Sequence, residues 1–223
     1  MFQKLTVLHR GQKGITGLET AIILIAFVVV AAVFAYTVLS AGLFATQKSQ
    51  EAVYAGLAET QSTMEPRGSV IAYKGDAAIA STVGKVELCV SNAIDNGDAI
   101  DLTPAYQLNT GTGALESSGL SNPTQIAYTD QSNAIADCAW TLGWVGKHTD
   151  DYLLEKQEKA VITVWFHSYN GTDWAAGSSP PYLGVNNVSI NHNFTLEVKP
   201  PKGAVLTQER TTPAYLDTVM DLH

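Results

Sequence analysis

Apolar and polar positions alternate in two different rhythms along this chain, divided near residue 68. From Ile15 to Gln47 nearly every position is apolar, and Ile22, Ile23, Leu24 and Ile25 are consecutive, so no helical face is left polar. No charge lies between Glu19 and Lys48. A helix over that interval would reach roughly 42 Å, more than the ~30 Å hydrocarbon core of a bilayer. A buried strand is excluded by length, since strands rarely exceed ~10 residues. A helix apolar on every side must be surrounded by lipid or by other protein. After Lys48 the pattern becomes amphipathic, with apolar Val53, Tyr54 and Leu57 among Glu and Gln, and Pro66 and Gly68 limit it. The pattern predicts one helix over 15–61, roughly 70 Å long.

From Ser69 onward the period falls to two. In KVELCVS, Val86, Leu88 and Val90 take one face and Lys85, Glu87 and Cys89 the other. SVIAYKG, AIDLTPAYQLN, TQIAYTD, CAWTLGWV, KAVITVWFHSYN, SINHNFTLEVKP and GAVLTQERTT read similarly. Turn clusters separate them: DNGD, NTGTG, GKHTDD, NGTD and SSPPY. About eight strands without an intervening helix predict an antiparallel, Ig-like β-sandwich over 62–223. The fold class is therefore α+β, a long hydrophobic helix followed by a sandwich.

Charge divides the chain a second time. The net charge is -8 over 223 residues, yet residues 1–14 carry Lys4, Arg10 and Lys13 and no acid. A short basic head before an apolar run reads as a processed leader. The apolar run is about twice the length of a secretory signal core, although Ser40-Ala41-Gly42 would mimic its cleavage site. The better cut follows Gly14, between Lys13-Gly14 and Ile15, and keeps the whole helix on the mature chain. The acidic balance argues against nucleic acid as a partner.

The sequence holds no Gly-x-Ser-x-Gly, His-Glu-x-x-His, phosphate loop or Cys-x-x-Cys. The reading is accordingly of a non-enzyme without cofactor or metal. His148, His167 and His192 stand apart, the last two able to meet only through the fold. Asp95, Asp98 and Asp101 cluster in DNGDAID without the spacing of an EF-hand loop, and read as a solvated turn. Trp140, Trp144, Trp165 and Trp174 read as packing residues. Cys89 falls on a polar strand face and Cys138 on an apolar one, so two separate thiols are expected rather than a disulfide. Asn170, Asn187 and Asn193 begin glycosylation sequons, Asn170 within a turn.

Lys13-Gly14 followed by ITGLETAIILIAFVVVAAVFAYTVL resembles the class III signal region of archaeal flagellins (archaellins) and, more loosely, of type IV pilins. VELCVSNAIDNGDAIDLT resembles an archaellin strand pair, and FTLEVKPPKGAVLTQERTTPAYL the family's C-terminal signature. The resemblance spans the chain and is weakest over 105–185.

It implies a filament subunit for swimming, whose leader a membrane peptidase removes and which an ATP-driven platform assembles. Subunits would wait in the membrane with the β-domain outside, then join identical copies in an extracellular helical homopolymer. Glu19, fifth residue after the cut, would meet a neighbour's N-terminal amine. Ile22, Ile25, Ala26 and Val29, then Val33, Tyr36, Leu39 and Leu43, would pack the filament core. Alternatives are a pilus-like or adhesive filament subunit and a single-pass anchored binding module. The ERTTP run favours the flagellar reading, and the extension past Lys48 favours a polymer over an anchor, which needs only ~20 residues.

Overall fold

The computed structural model describes residues 13–76, 81–94, 97–175 and 188–222, with side chains from Gly17 onward. It forms two compact units, Met1–Ala55 and Gly56–His223.

Helix α1 (Lys13–Gln61, 49 residues) supplies the described part of the first unit and the opening turn and a half of the second. It starts two residues before the expected Ile15 and stops at the expected Gln61. Several of its threonine hydroxyls are satisfied within the helix. Thr37 Oγ1 donates to Phe34 O at 2.9 Å and Thr46 Oγ1 to Gly42 O at 2.5 Å. Such back-bonding removes the cost of placing a free hydroxyl among apolar neighbours. The stretch from Gly17 to Gln61 is long and apolar enough to cross a membrane, and its most apolar part is unburied within the chain.

Beyond the helix, the regular elements of the described second unit are antiparallel β-strands. In chain order its strands are β1 (Met64–Pro66), β2 (Val70–Lys74), β3 (Val83–Asn92), β4 (Ile100–Asp101), β5 (Tyr106–Leu108), β6 (Leu115–Ser117), β7 (Gln125–Asp130) and β8 (Ala134–Ile135). Then come β9 (Trp140–Trp144), β10 (Leu153–Leu154), β11 (Lys159–Trp165), β12 (Ser168–Tyr169), β13 (Trp174–Ala175), β14 (Asn193–Lys199), β15 (Leu206–Thr211) and β16 (Val219–Leu222). One sheet runs β16-β2-β3-β11-β9, with β1 also paired to β3, and the second runs β15-β14-β7-β8. Two-stranded ribbons β10-β4, β12-β13 and β5-β6 complete the domain.

Alternation decides which side chains meet between the sheets. Val86, Leu88 and Val90 of β3 and Ile162 and Val164 of β11 join Ile126 and Tyr128 of β7 and Leu196 and Val198 of β14 in one buried cluster. Phe166 and Phe194 close it around Tyr128, with ring centroids 5.4–5.9 Å apart. The expected architecture, a long apolar helix followed by antiparallel sheets, is the one observed.

Seven of the eight expected strands have a strand at their centre, AIDLTPAYQLN divides into β4 and β5 in separate ribbons, and short strands appear that the alternation did not predict. Pro66 belongs to β1 rather than marking the helix limit, and Met64 beside it is buried in the core. Strand pairing thus begins before Ser69, where the period-two pattern starts. Gly68, at φ 94, makes the turn into β2. The final strand β16 was also unexpected, and its Met220 and Leu222 fill the core through pairing with β2.

Candidate assembly surface

On the first unit the functional feature is the helix surface itself. Ile22, Ile25, Val29, Val33, Tyr36, Leu39 and Leu43 each keep more than half their surface exposed. Leu24, Phe27, Val30 and Phe34, pointing elsewhere around the rod, do so too. Ala26 is exposed between them. The expected packing positions are therefore available, but the single chain does not distinguish them from their neighbours. Glu19 is exposed near the start of the rod. Lys13, Gly14 and Ile15 lie in the first turn of α1.

The area law sets what this surface is worth. Burying one large apolar side chain from water contributes roughly 1.5–3 kcal/mol. The same burial taken from lipid contributes far less, because lipid tails are as apolar as Leu. The rod is thus strongly driven out of water into a membrane or a bundle, and only weakly driven from one to the other.

On the β-domain the sequons differ in setting. Asn170 sits at the tip of the β12–β13 hairpin, where its Oδ1 accepts from Thr172 N at 2.9 Å and Asp173 N at 2.7 Å. Its backbone N donates to Asp173 O at 3.2 Å, and its side-chain Nδ2 has no hydrogen bond among the described residues. Asn193 opens β14, a strand paired on both sides, and its Nδ2 donates to Glu209 Oε1 at 2.9 Å. Asn187 lies outside the described residues.

Both cysteines are free. Cys89 is half-buried on the outward face of β3, and burial raises its pKa. Cys138 lies in the core, where burial first and the charge of Asp137 second push its thiol up to about 12. Asp95 lies outside the described residues. Asp101 Oδ1 accepts from Thr103 N at 2.9 Å and Thr103 Oγ1 at 2.6 Å, and Asp98 O accepts from Asn92 Nδ2.

His148, His167 and His192 are occupied separately. His148 stacks on Trp144. His167 is buried beside Thr82 Oγ1 at 3.2 Å, and burial lowers its pKa. His192 Nε2 lies 3.1 Å from Asp130 Oδ2. Of the tryptophans, Trp140 is in the core, Trp165 donates to Thr141 Oγ1 at 3.0 Å, and Trp174 packs on Trp165 and Tyr169.

Sequence reasoning missed the Asp130 cluster. Burial alone would raise the pKa of this carboxylate. Donation by Tyr128 Oη, Ser132 N and Asn133 outweighs that and holds it well below the usual range. Asp130 thereby ties the β7–β8 turn to His192 at the start of β14. The one legible signal was the turn-forming Asp-Gln-Ser-Asn run, because His192 is 62 positions away.

An exposed apolar rod followed by an antiparallel β-domain defines the class of surface proteins that polymerise, or are held in place, through the rod. A family model described as archaeal-type flagellin matches residues 14–210. A probable flagellin 2 of Archaeoglobus fulgidus is 35% identical over 217 residues, covering 92% of each chain. A probable flagellin 1 of Aeropyrum pernix is 32% identical over 219 residues, covering 94% of this chain and 96% of that one. Among solved structures, the archaeal flagellum of Methanospirillum hungatei strain JF1 aligns with a TM-score of 0.57 at 26% identity, covering 92% of this chain and 98% of that one. The chain belongs to the archaeal-type flagellins. That family is one of structural filament subunits, which is not a class of enzyme.

Proposed function

We propose that this flagellin is a structural subunit that polymerises with identical copies, through α1, into the extracellular filament of an archaeal flagellum used for swimming. The observation that carries the reading is the helix, apolar on every face and unburied within its own chain, in a chain of this family. Many rods packed together bury all faces at once, which no single-chain fold does.

Before assembly the rod resides in the membrane with the β-domain outside. A leader peptidase cuts between Gly14 and Ile15, and an ATP-driven platform moves the subunit from lipid into the filament. The small preference of apolar side chains for protein over lipid is the physical reason an energy source is needed. Glu19 pairs with the new N-terminal amine of a neighbour, since a buried carboxylate left unpaired costs several kcal/mol. Ile22, Ile25, Ala26, Val29, Val33, Tyr36, Leu39 and Leu43 line the core contacts. The sheath carries glycans, Asn170 being the sequon most open to modification.

Electron microscopy of purified surface filaments, with mass spectrometry of their subunits, tests this. This chain should dominate the filaments and start at Ile15. Filaments lacking it, or a chain beginning at Met1 or near Ala45, would overturn the assignment.

A further inference from the structure

Two open grooves adjoin at one turn of the β-domain. The first, about 300 Å3, is lined by Arg67, Ser91, Asn92, Gln157, Glu158 and Lys159. The second, about 260 Å3, shares Gln157 and Glu158 and adds Lys147, His148, Thr149 and Lys156. Residues 61–223 hold nine Lys and Arg against eighteen Asp and Glu. Four of those nine cations thus gather around a single turn of an acidic domain.

The carboxylate inside the grooves is already engaged. Glu158 is 7% exposed, and its Oε1 accepts from Thr149 N at 2.7 Å and Thr149 Oγ1 at 3.2 Å. Its Oε2 accepts from Glu155 N at 3.0 Å. Glu158 therefore pins the loop at Thr149 to the turn and acts as a fixed wall. Arg67 is oriented by Ser91 Oγ at 2.9 Å and by Glu65. Lys147 and Lys159 enter no ion pair among the described residues. Gln157, between the grooves, has φ 63, a left-handed conformation uncommon for a residue with a side chain. Such strained residues persist where the surroundings over-determine them, and they concentrate at ligand contacts.

We propose that these twin grooves receive carboxylates from the β-domain of a second copy of this chain. The inference rests on the filament-subunit reading and deepens it. Domains with a twofold excess of acid repel when brought within a Debye length, ~8 Å at physiological salt. Contact is favoured where cations of one copy face acids of the next. A cationic groove cannot complement itself across a twofold axis, so it must meet a different surface of its neighbour. Such heterologous contacts propagate as helical filaments when they do not close into rings.

Zero-length carbodiimide cross-linking of intact filaments, followed by peptide mapping of the dimer band, tests it. Lys147 or Lys159 should be joined to an Asp or Glu of another copy. The total yield of the dimer band should fall at least tenfold in filaments of K147Q/K159Q and stay unchanged in K202Q. Dimers linked only through other lysines, or an undiminished dimer yield in K147Q/K159Q, would overturn it. So would links from these lysines to saccharide acids or to a different protein. Absence of this chain from the filament mass spectra is a separate readout, and overturns the subunit assignment itself.

Discussion

Replacing Ile25 by Asp puts one carboxylate in the middle of the rod. Ile25 keeps 62% of its surface exposed within its own chain, so most of its burial comes from neighbours. Measured from water that share of the ~1.5–3 kcal/mol for a fully buried Ile is about 1–2 kcal/mol, but measured from lipid it is close to nothing. A carboxylate enclosed by apolar rods, with no cation between Lys13 and Lys48, costs several kcal/mol more. The carboxylate alone therefore sets the effect, and at about 3–5 kcal/mol and ~1.4 kcal/mol per factor of ten subunit addition weakens by about 10^2–10^4-fold. The variant is to be expressed in a strain lacking the native gene. Filaments are counted by electron microscopy, and the processed chain is followed in membranes by immunoblot. Filaments should disappear while processed subunit accumulates and the β-domain keeps its near-ultraviolet circular dichroism. Ile25→Leu, which retains the apolar area, should assemble normally. Filaments of normal number and length in Ile25→Asp would refute the reasoning that this helix is the polymer core.

Three further outcomes follow from the β-domain. A Cβ at Gly84 would lie 2.9 Å from the Trp174 ring, whereas one at Gly143 would meet nothing closer than 3.8 Å. Gly84→Ala should therefore cost about 1–3 kcal/mol, read as a Tm lowered by several degrees in detergent, while Gly143→Ala changes it little. His167 has a folded pKa below its ordinary value of 6.5 because burial disfavours the imidazolium. The unfolded chain then binds the extra proton, so stability declines as pH falls through about 6.5. The fall in Tm between pH 7.5 and 5.5 should be smaller in His167→Gln, and an identical pH slope in both proteins would refute this. Mass spectrometry should show loss of a glycan in Asn170→Gln and no loss in Asn193→Gln, since the amide of Asn193 is bound to Glu209 in a central strand.

Hydropathy and length are local properties, and they make the rod legible in the amino-acid sequence. The chain from Ile15 to Gln47 is helical because no alternative element accommodates so long an apolar run, and its amphipathic continuation ends at Gln61 as the pattern predicts. Period-two alternation makes the long strands legible for the same reason. Val86, Leu88 and Val90 could be assigned inward without knowing what they would touch. Only the tertiary structure decided the rest. β1, three residues, and β16, four residues, are too short to carry a period, and they are strands because β3 and β2 offer them open edges. The Asp130–His192 contact and the grooves around Gln157 join residues from distant parts of the chain. No local pattern encodes them, because loop closure and sheet register determine which distant side chains become neighbours. The surface that the rod presents to other copies is again sequence-local. The place where one β-domain can receive another depends on side chains that folding alone gathers together.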